Sequence, residues 1–342
     1  MGKKSITIYD IAKEAGVSAS MVSRVVSGKG SVSEGNRVRI QQILKENNFK
    51  PNAVARGLQQ QRSKMIGFLL PHIANQYFSS VYYEFEKWAS EQGFMTILFN
   101  GKNDWGTELK LLHIMEESRV EAIVIMGGNA DAVEVPKEYY QEVTRINQTI
   151  PCVICGEQAG RFDCIGVHPD SQSAGELVKH LYSLGVESLG IFGGAEGTYP
   201  SVLKKNKFIE TAREYNITML QEWILGNSYD VADGAEAMKE LLKEKKLPKA
   251  VCCINDHVAV GAINTAIAAG LKIPEDIAFT GYDGVEIASI IHPSITTMQY
   301  DYEQYGSKIF SAVEKLIQGK TCPNMTLIDS KMIIGESTQK NT

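Results

Sequence analysis

Residues 7–26 read Thr-Ile-Tyr-Asp-Ile-Ala-Lys-Glu-Ala-Gly-Val-Ser-Ala-Ser-Met-Val-Ser-Arg-Val-Val. Thr7 is a good helix N-cap, and Asp10 stands three residues on, where a capping box places its acid. Ile8, Ile11, Ala12 and Ala15 then fall on one helical face. Gly16 ends the helix, because the tight turn beyond it needs a residue at ease with positive φ. Ser18 caps a second helix over residues 19–26, with Val22, Val25 and Val26 on its apolar side. Gly28, Lys29 and Gly30 break the chain. Ser33 caps a third helix running to about Asn47, with Val38, Ile40, Ile43 and Leu44 apolar. Helix, short Gly-containing turn and helix is the helix-turn-helix pattern. There the N-terminal part of the second helix faces base edges in the DNA major groove. Here that part offers Ala19, Ser20 and Met21, with Ser23 and Arg24 one turn later.

Charge supports that reading. The chain of 342 residues has a net charge of -5. Residues 1–64 hold twelve Lys and Arg against four acidic residues, a net +8, which leaves -13 on the rest. A basic head on an acidic body is the asymmetry expected when one end meets nucleic acid. None of the six His falls in the head, so it is not a Cys/His zinc finger. The six Cys read as reduced thiols, Cys152, Cys155, Cys252 and Cys253 lying in buried strands. Cys152 and Cys155 should point to opposite faces of theirs.

From residue 64 apolar runs recur about every 30 residues: 65–70, 95–99, 122–126 and 152–155, then 189–192, 223–225, 250–254 and 277–280. Amphipathic stretches lie between them, one carrying Val81, Phe85, Trp88 and Ala89, another Ile309, Phe310, Val313, Leu316 and Ile317. Strands alternating with helices predict doubly wound parallel sheets. Two passes of the pattern predict two lobes with a ligand cleft between them. Such lobes bind ligands at the carboxyl ends of strands. The candidates are the segments 71–78, Asn255 with Asp256, and 281–284; Asp256 is suited to cap the helix that follows. Gly193, Gly194 and Gly197 lack phosphate-loop spacing and read as a turn. His168 and His292, each before Pro, read as loop residues.

Residues 8–18 and 22–26 together resemble the lactose-repressor/galactose-repressor (LacI/GalR) family of bacterial transcription regulators. Phe49-Lys50-Pro51-Asn52, Ala55-Arg56, Leu58 and Ser63-x-x-Ile66-Gly67 continue the pattern without a gap. The resemblance implies a helix-turn-helix head over 1–50, a hinge over 51–63 and a core over 64–342. The core is expected to be periplasmic-binding-protein-like and to dimerise. Its two lobes should comprise about 64–158 with 292–321, and 162–288 with 325–338. Thr7, Tyr9, Ser18, Asn36 and Arg37 should position the head on phosphates. Ala19, Ser20, Met21, Ser23 and Arg24 should face bases, with Ala19 and Met21 touching thymine methyls. Asn52 caps a short hinge helix, too short to stand alone in water. The resemblance implies that it folds on operator DNA beside its twin. There Leu58 wedges into the minor groove and Ala55 lets the backbone approach.

For the cleft, the resemblance points to Tyr77, Phe78, Lys204, Asn255, Asp283 and Tyr300 as effector contacts. Lys204 stands where the family carries Arg, and Lys cannot form Arg's bidentate fork. Lys204, Lys205 and Lys207 could together accept an acidic sugar or phosphate, but they read better as a solvated basic face. No apolar run approaches a membrane span and no secretory signal follows the basic N-terminus. No catalytic motif, metal ligand set or cofactor motif is visible. The expected protein is therefore cytoplasmic and not an enzyme: a homodimeric repressor of roughly palindromic double-stranded operator DNA, controlled by a small, sugar-like effector. The rival readings, a solute-binding protein or a sugar enzyme on the same core, lack an export signal and a catalytic motif respectively.

Overall fold

The computed structural model describes residues 6–27, 30–47, 49, 63–157 and 159–339. Asn52, Ala55 and Leu58 of the expected hinge lie outside these. The chain divides into two compact units, Met1–Ser63 and Lys64–Thr342.

The first unit holds helices α1 (Ile8–Ala15), α2 (Ala19–Ser27) and α3 (Glu34–Glu46). Thr7 and Asp10 form the predicted capping box, and Gly16 ends α1 in the left-handed region at φ 65°. Ile11, Ala12, Ala15, Val22, Ile40 and Ile43 make a small buried core. Two expectations fail. Ser33 makes no side-chain cap bond, and Val38 is 54% exposed, because the core face of α3 is carried by Ile40 and Ile43.

The second unit contains two six-stranded sheets. The strands, in chain order, are β1 (Met65–Leu70), β2 (Met95–Asn100), β3 (Ala122–Met126), β4 (Cys152–Cys155), β5 (Ile165–Pro169), β6 (Leu189–Phe192), β7 (Ile224–Leu225), β8 (Ala250–Cys253), β9 (Ala278–Asp283), β10 (Thr296–Tyr300), β11 (Met325–Ile328) and β12 (Ser330–Ile333). The first sheet runs β11-β5-β4-β3-β1-β2 and the second β12-β10-β9-β8-β6-β7. All pairings are parallel except β10 with β12, an antiparallel edge. Alternation along the strands splits each sheet into two buried faces. Ile66, Phe68 and Leu70 face helices α4 (Gln76–Glu91) and α12 (Tyr302–Ile317). Leu69, Ile123 and Ile125 face α5 (Trp105–Glu117) and α6 (Lys137–Asn147). In the second lobe, α7 (Ala174–Ser183) and α8 (Tyr199–Glu214) cover one face, α9 (Val231–Leu241) and α10 (Asp256–Ala268) the other. The short α11 (Ile287–Ile290) closes the series.

The expected lobe boundaries need correction. β5 and β11 belong to the first sheet, and β10 to the second. The reason is that the chain crosses between lobes at Asp170, Asp301 and Asp329, immediately after the strands β5, β10 and β11, rather than between whole blocks of sequence. Smaller corrections follow. Trp223 lies in a short 3-10 turn before β7. β9 runs on to Asp283, so Gly281 and Tyr282 are strand residues. His168 lies within β5 rather than in a loop. Cys152 and Cys155 do join opposite cores, and Gly193, Gly194 and Gly197 do form a turn with φ of 82°, 90° and 84°. No helix among the described residues is long and apolar enough to cross a membrane.

Candidate DNA-reading face and effector cleft

In the head, Ser18 accepts the Met21 N–H at 3.3 Å and lies 2.9 Å from the Ser20 hydroxyl. Ser18, just before α2, and Ser20 and Arg24 on it are exposed, Ser23 is half-buried, and Tyr9 is 73% exposed near the start of α1. Ala19 and Met21 sit differently from the expectation. Both are half-buried against the head's core, and the Met21 sulfur accepts a bond from Asn36 Nδ2 at 3.6 Å. Their apolar surface is thus largely committed inward, and Asn36 is engaged with it. Thr7 is exposed but spends its hydroxyl on Asp10, 2.6 Å away. Arg37 lies 3.8 Å from Glu34, both exposed, an arrangement that costs little to release.

In the core, a cavity of about 460 Å³ opens between the lobes. It lies at the carboxyl ends of the strands, and all six expected effector residues line it. Asn75 caps α4, accepting the Tyr77 N–H at 3.0 Å, and so turns the Tyr77 and Phe78 rings toward the cavity. Tyr300, the last residue of β10, stands 5.8 Å from the Tyr77 ring and 5.8 Å from the Tyr282 ring. Burial raises the phenols of Tyr77 and Tyr300 well above their ordinary value, so they remain neutral.

Lys204 reaches the cavity from α8. Its ammonium lies 3.2 Å from Asp283 Oδ1, 3.4 Å from the Ile254 carbonyl and 3.8 Å above the Tyr282 ring. Lys205 instead donates to the Gly194 carbonyl at 3.0 Å, and Lys207 lies against Gly175. The three lysines therefore form no common anion site. Asp283 has φ 92°, held by the Lys204 contact and by the Tyr302 hydroxyl on its carbonyl at 2.8 Å.

Asn255, not Asp256, caps α10. Its Oδ1 accepts the Val258 N–H at 2.9 Å, while its Nδ2 donates to the Tyr229 carbonyl at 3.0 Å. Asp256 is fully buried beneath the floor. One oxygen accepts the Val285 N–H at 2.9 Å, and the other makes no hydrogen bond of ordinary length among the described residues. Burial, and then the nearby Asp283 charge, push its carboxyl well above the usual range.

Asp131, Glu157 and Tyr229 also line the cavity and were missed in the sequence. Asp131 and Glu157 follow the ends of β3 and β4, so the strand-end rule, applied to every strand, would have found them. Glu157 accepts from the Ser171 hydroxyl and lies 3.7 Å from His168, whose pKa it raises. The Tyr229 hydroxyl bonds Thr198 at 2.6 Å and also Ser201. A separate surface group, His113, Glu116 and Glu142, has metal-like spacing. Arg145 already bridges both of its carboxylates, at 2.6 and 2.7 Å.

A three-helix head of the helix-turn-helix kind, in one chain with a two-lobed core enclosing a polar and aromatic cleft, defines a ligand-responsive DNA-binding regulator. The chain belongs to the lacI family of bacterial regulatory proteins. Residues 7–52 match that family and residues 178–338 the periplasmic binding protein-like domain. It is 30% identical over 316 residues to the HTH-type transcriptional repressor PurR of Proteus mirabilis, covering 92% of this chain and 91% of that protein. It is 29% identical over 322 residues to catabolite control protein A of Staphylococcus aureus, covering 90% and 92%. Among solved structures, the Lac repressor dimer bound to operator and the anti-inducer ONPF matches with a TM-score of 0.86 at 22% identity, covering 98% of this chain and 99% of that one. At that identity the likeness speaks to the fold.

Proposed function

We propose that this protein is a cytoplasmic, homodimeric repressor that binds a roughly palindromic operator and responds to an uncharged, polyhydroxylated, sugar-like effector. Residues 1–50 read and grip DNA, 51–63 form the hinge, and 64–342 bind effector and dimerise. Ser18, Ser20 and Arg24, with Tyr9 and Arg37, supply the exposed polar contacts, and the half-buried Ser23 adds to them. Thr7, Ala19, Met21 and Asn36 act mainly by shaping that face. In the hinge, Asn52, Ala55 and Leu58 carry the minor-groove contact. In the cleft, Tyr77, Phe78 and Tyr300 pack on the effector ring, while Asn255, Asp283 and Lys204 bond its hydroxyls.

The observation that carries the reading is the cleft's charge. Asp131, Glu157, Glu196, Asp230 and Asp283 line it against Lys204 and His72, and Lys204 is already paired. An anionic sugar would meet repulsion there, whereas hydroxyl donors would find acceptors. Effector shifts DNA binding by its differential affinity for the two arrangements of the lobes.

The test begins with selection of binding sites from random duplexes by the full chain, followed by a salt titration on the selected site. A palindrome should emerge, and affinity should fall steeply with salt. Leu58→Ala should weaken operator binding about tenfold or more, the scale of a lost minor-groove wedge, and leave effector binding unchanged. Thermal-shift screening should favour neutral sugars over their phosphates. Equal binding to all duplexes would overturn the repressor reading; preference for sugar phosphates would overturn the effector class.

A further inference from the structure

β4 and β5 pair in parallel, with Val153 opposite Ile165 and Ile154 opposite Gly166. One step earlier in that register, Cys152 stands opposite Cys164. Side chains alternate along strands, so both thiols leave the sheet on the same face. Cys152 is buried in the core there, and Cys164 packs half-buried against it. Both line one pocket of about 330 Å³, together with Asn147, Phe162 and Met325. Adjacent strands lie about 4.7–4.9 Å apart, inside the Cα separation that a disulfide accepts.

We propose that Cys152 and Cys164 form a reversible oxidation site that closes as a cross-strand disulfide when hydrogen peroxide enters this pocket. Cys164, the more accessible sulfur, attacks the peroxide oxygen. The O–O bond breaks, one water leaves, and Cys164 becomes a sulfenic acid. Cys152 then gives up its proton and attacks the Cys164 sulfur, expelling the second water. Two thiols lose two electrons and two protons, and hydrogen peroxide is reduced to two waters. The order suits the site. Contact with Cys164, and then burial, raise the Cys152 thiol well above its ordinary pKa, which makes it the slower first nucleophile but a placed second one. Cys155, Cys252 and Cys253 are fully enclosed and their thiols are raised by burial, Cys252 to about 12. In a reducing compartment such a bridge serves as a transient sensor rather than a staple.

The full chain is treated with hydrogen peroxide, denatured, alkylated and digested without reductant for mass spectrometry. The expected product is a peptide pair joining Cys152 to Cys164, lighter by the mass of two hydrogens and restored by dithiothreitol. In Cys152→Ser, Cys164 should instead be trapped by dimedone as the sulfenic acid. In Cys164→Ser, Cys152 should stay reduced. Overoxidation of Cys164 with Cys152 still a thiol would overturn the proposal. So would a link from Cys164 to Cys322, or no oxidation at either residue.

Discussion

Asp256 is a carboxyl with one hydrogen-bonded oxygen and one that makes no ordinary hydrogen bond among the described residues, fully enclosed beneath Asp283. Gly281 is needed beside it, because a Cβ there would stand 2.2 Å from the second oxygen. The folded carboxyl binds its proton more tightly than the unfolded one. Its contribution is therefore complete below the unfolded pKa of about 3.9 and is lost as pH rises toward the raised folded value. Asp256→Asn keeps the acceptor for Val285 and removes the titration. Relative to the natural protein the variant should gain stability between pH 4 and pH 8, by up to about 1.4 kcal/mol per pH unit while the window lasts. Urea unfolding at the two pH values measures the gap; an unchanged gap would mean that the fold does not raise the Asp256 pKa above its unfolded value. Asp256→Leu, which removes the titration too but abandons the Val285 N–H, should be less stable than Asp256→Asn by about 1–3 kcal/mol at either pH.

At the level of elements, α9 and α10 meet through two glycines. A Cβ on Gly234 would lie 2.0 Å from the Val258 carbonyl oxygen, and one on Gly261 would lie 1.9 Å from that of Val231. Both obstacles are backbone, so neither can swing aside. Gly261→Ala should therefore destabilise the core by roughly 1–3 kcal/mol despite its better helix propensity, and denaturant melts of Gly261→Ala will show it. The pattern in the sequence that placed these helices could not show how close they come. Strands were legible where a buried run is apolar throughout, as in β1, β3 and β4. The edge strands β11 and β12 are largely exposed, so their residues carry no such signal. Because those edges and the crossings decide which lobe a segment joins, the lobe boundaries were misread. The cleft was legible for a different reason. Every parallel strand delivers its end to the same rim, so Tyr77, Asn255 and Asp283 could be placed there without knowing their partners. The inward turn of Met21 onto Asn36 is a contact between α2 and α3, and helical period alone does not reveal which side of a half-buried residue wins.

For the core as a whole, a second line of contact joins the lobes away from their crossings. The Val133 N–H donates to the Gly197 carbonyl at 2.8 Å, Ala132 and Thr198 form an isolated antiparallel bridge, and Arg161 lies 5.7 Å from the Tyr199 ring. These contacts join the two lobes at one margin of the cleft. Val133→Pro removes the donor, and Ala132 already has the extended backbone that a following proline requires. Loss of one such bond is worth about 1 kcal/mol, so effector affinity should fall about fivefold. Amide exchange of residues 195–199 should rise. Calorimetry with whichever sugar the thermal screen selects measures the first, and unchanged affinity would assign the bridge no part in closure.

The crossings themselves are tied together. The Tyr282 hydroxyl lies 2.7 Å from Ser173 Oγ and donates to the Asp170 carbonyl at 3.0 Å, and Ser330 donates to Ser173 at 2.7 Å. One strand of chain between two bodies leaves them free to bend and twist; three, cross-linked side by side, leave one angle. Whatever fills the cleft therefore has a single number to set. Because β1 begins at Met65 and lies in the first sheet, the segment leading in from the head is joined by covalent bonds to one side of that angle only. A ligand that fits every setting of that angle equally well, however tightly it binds, shifts nothing.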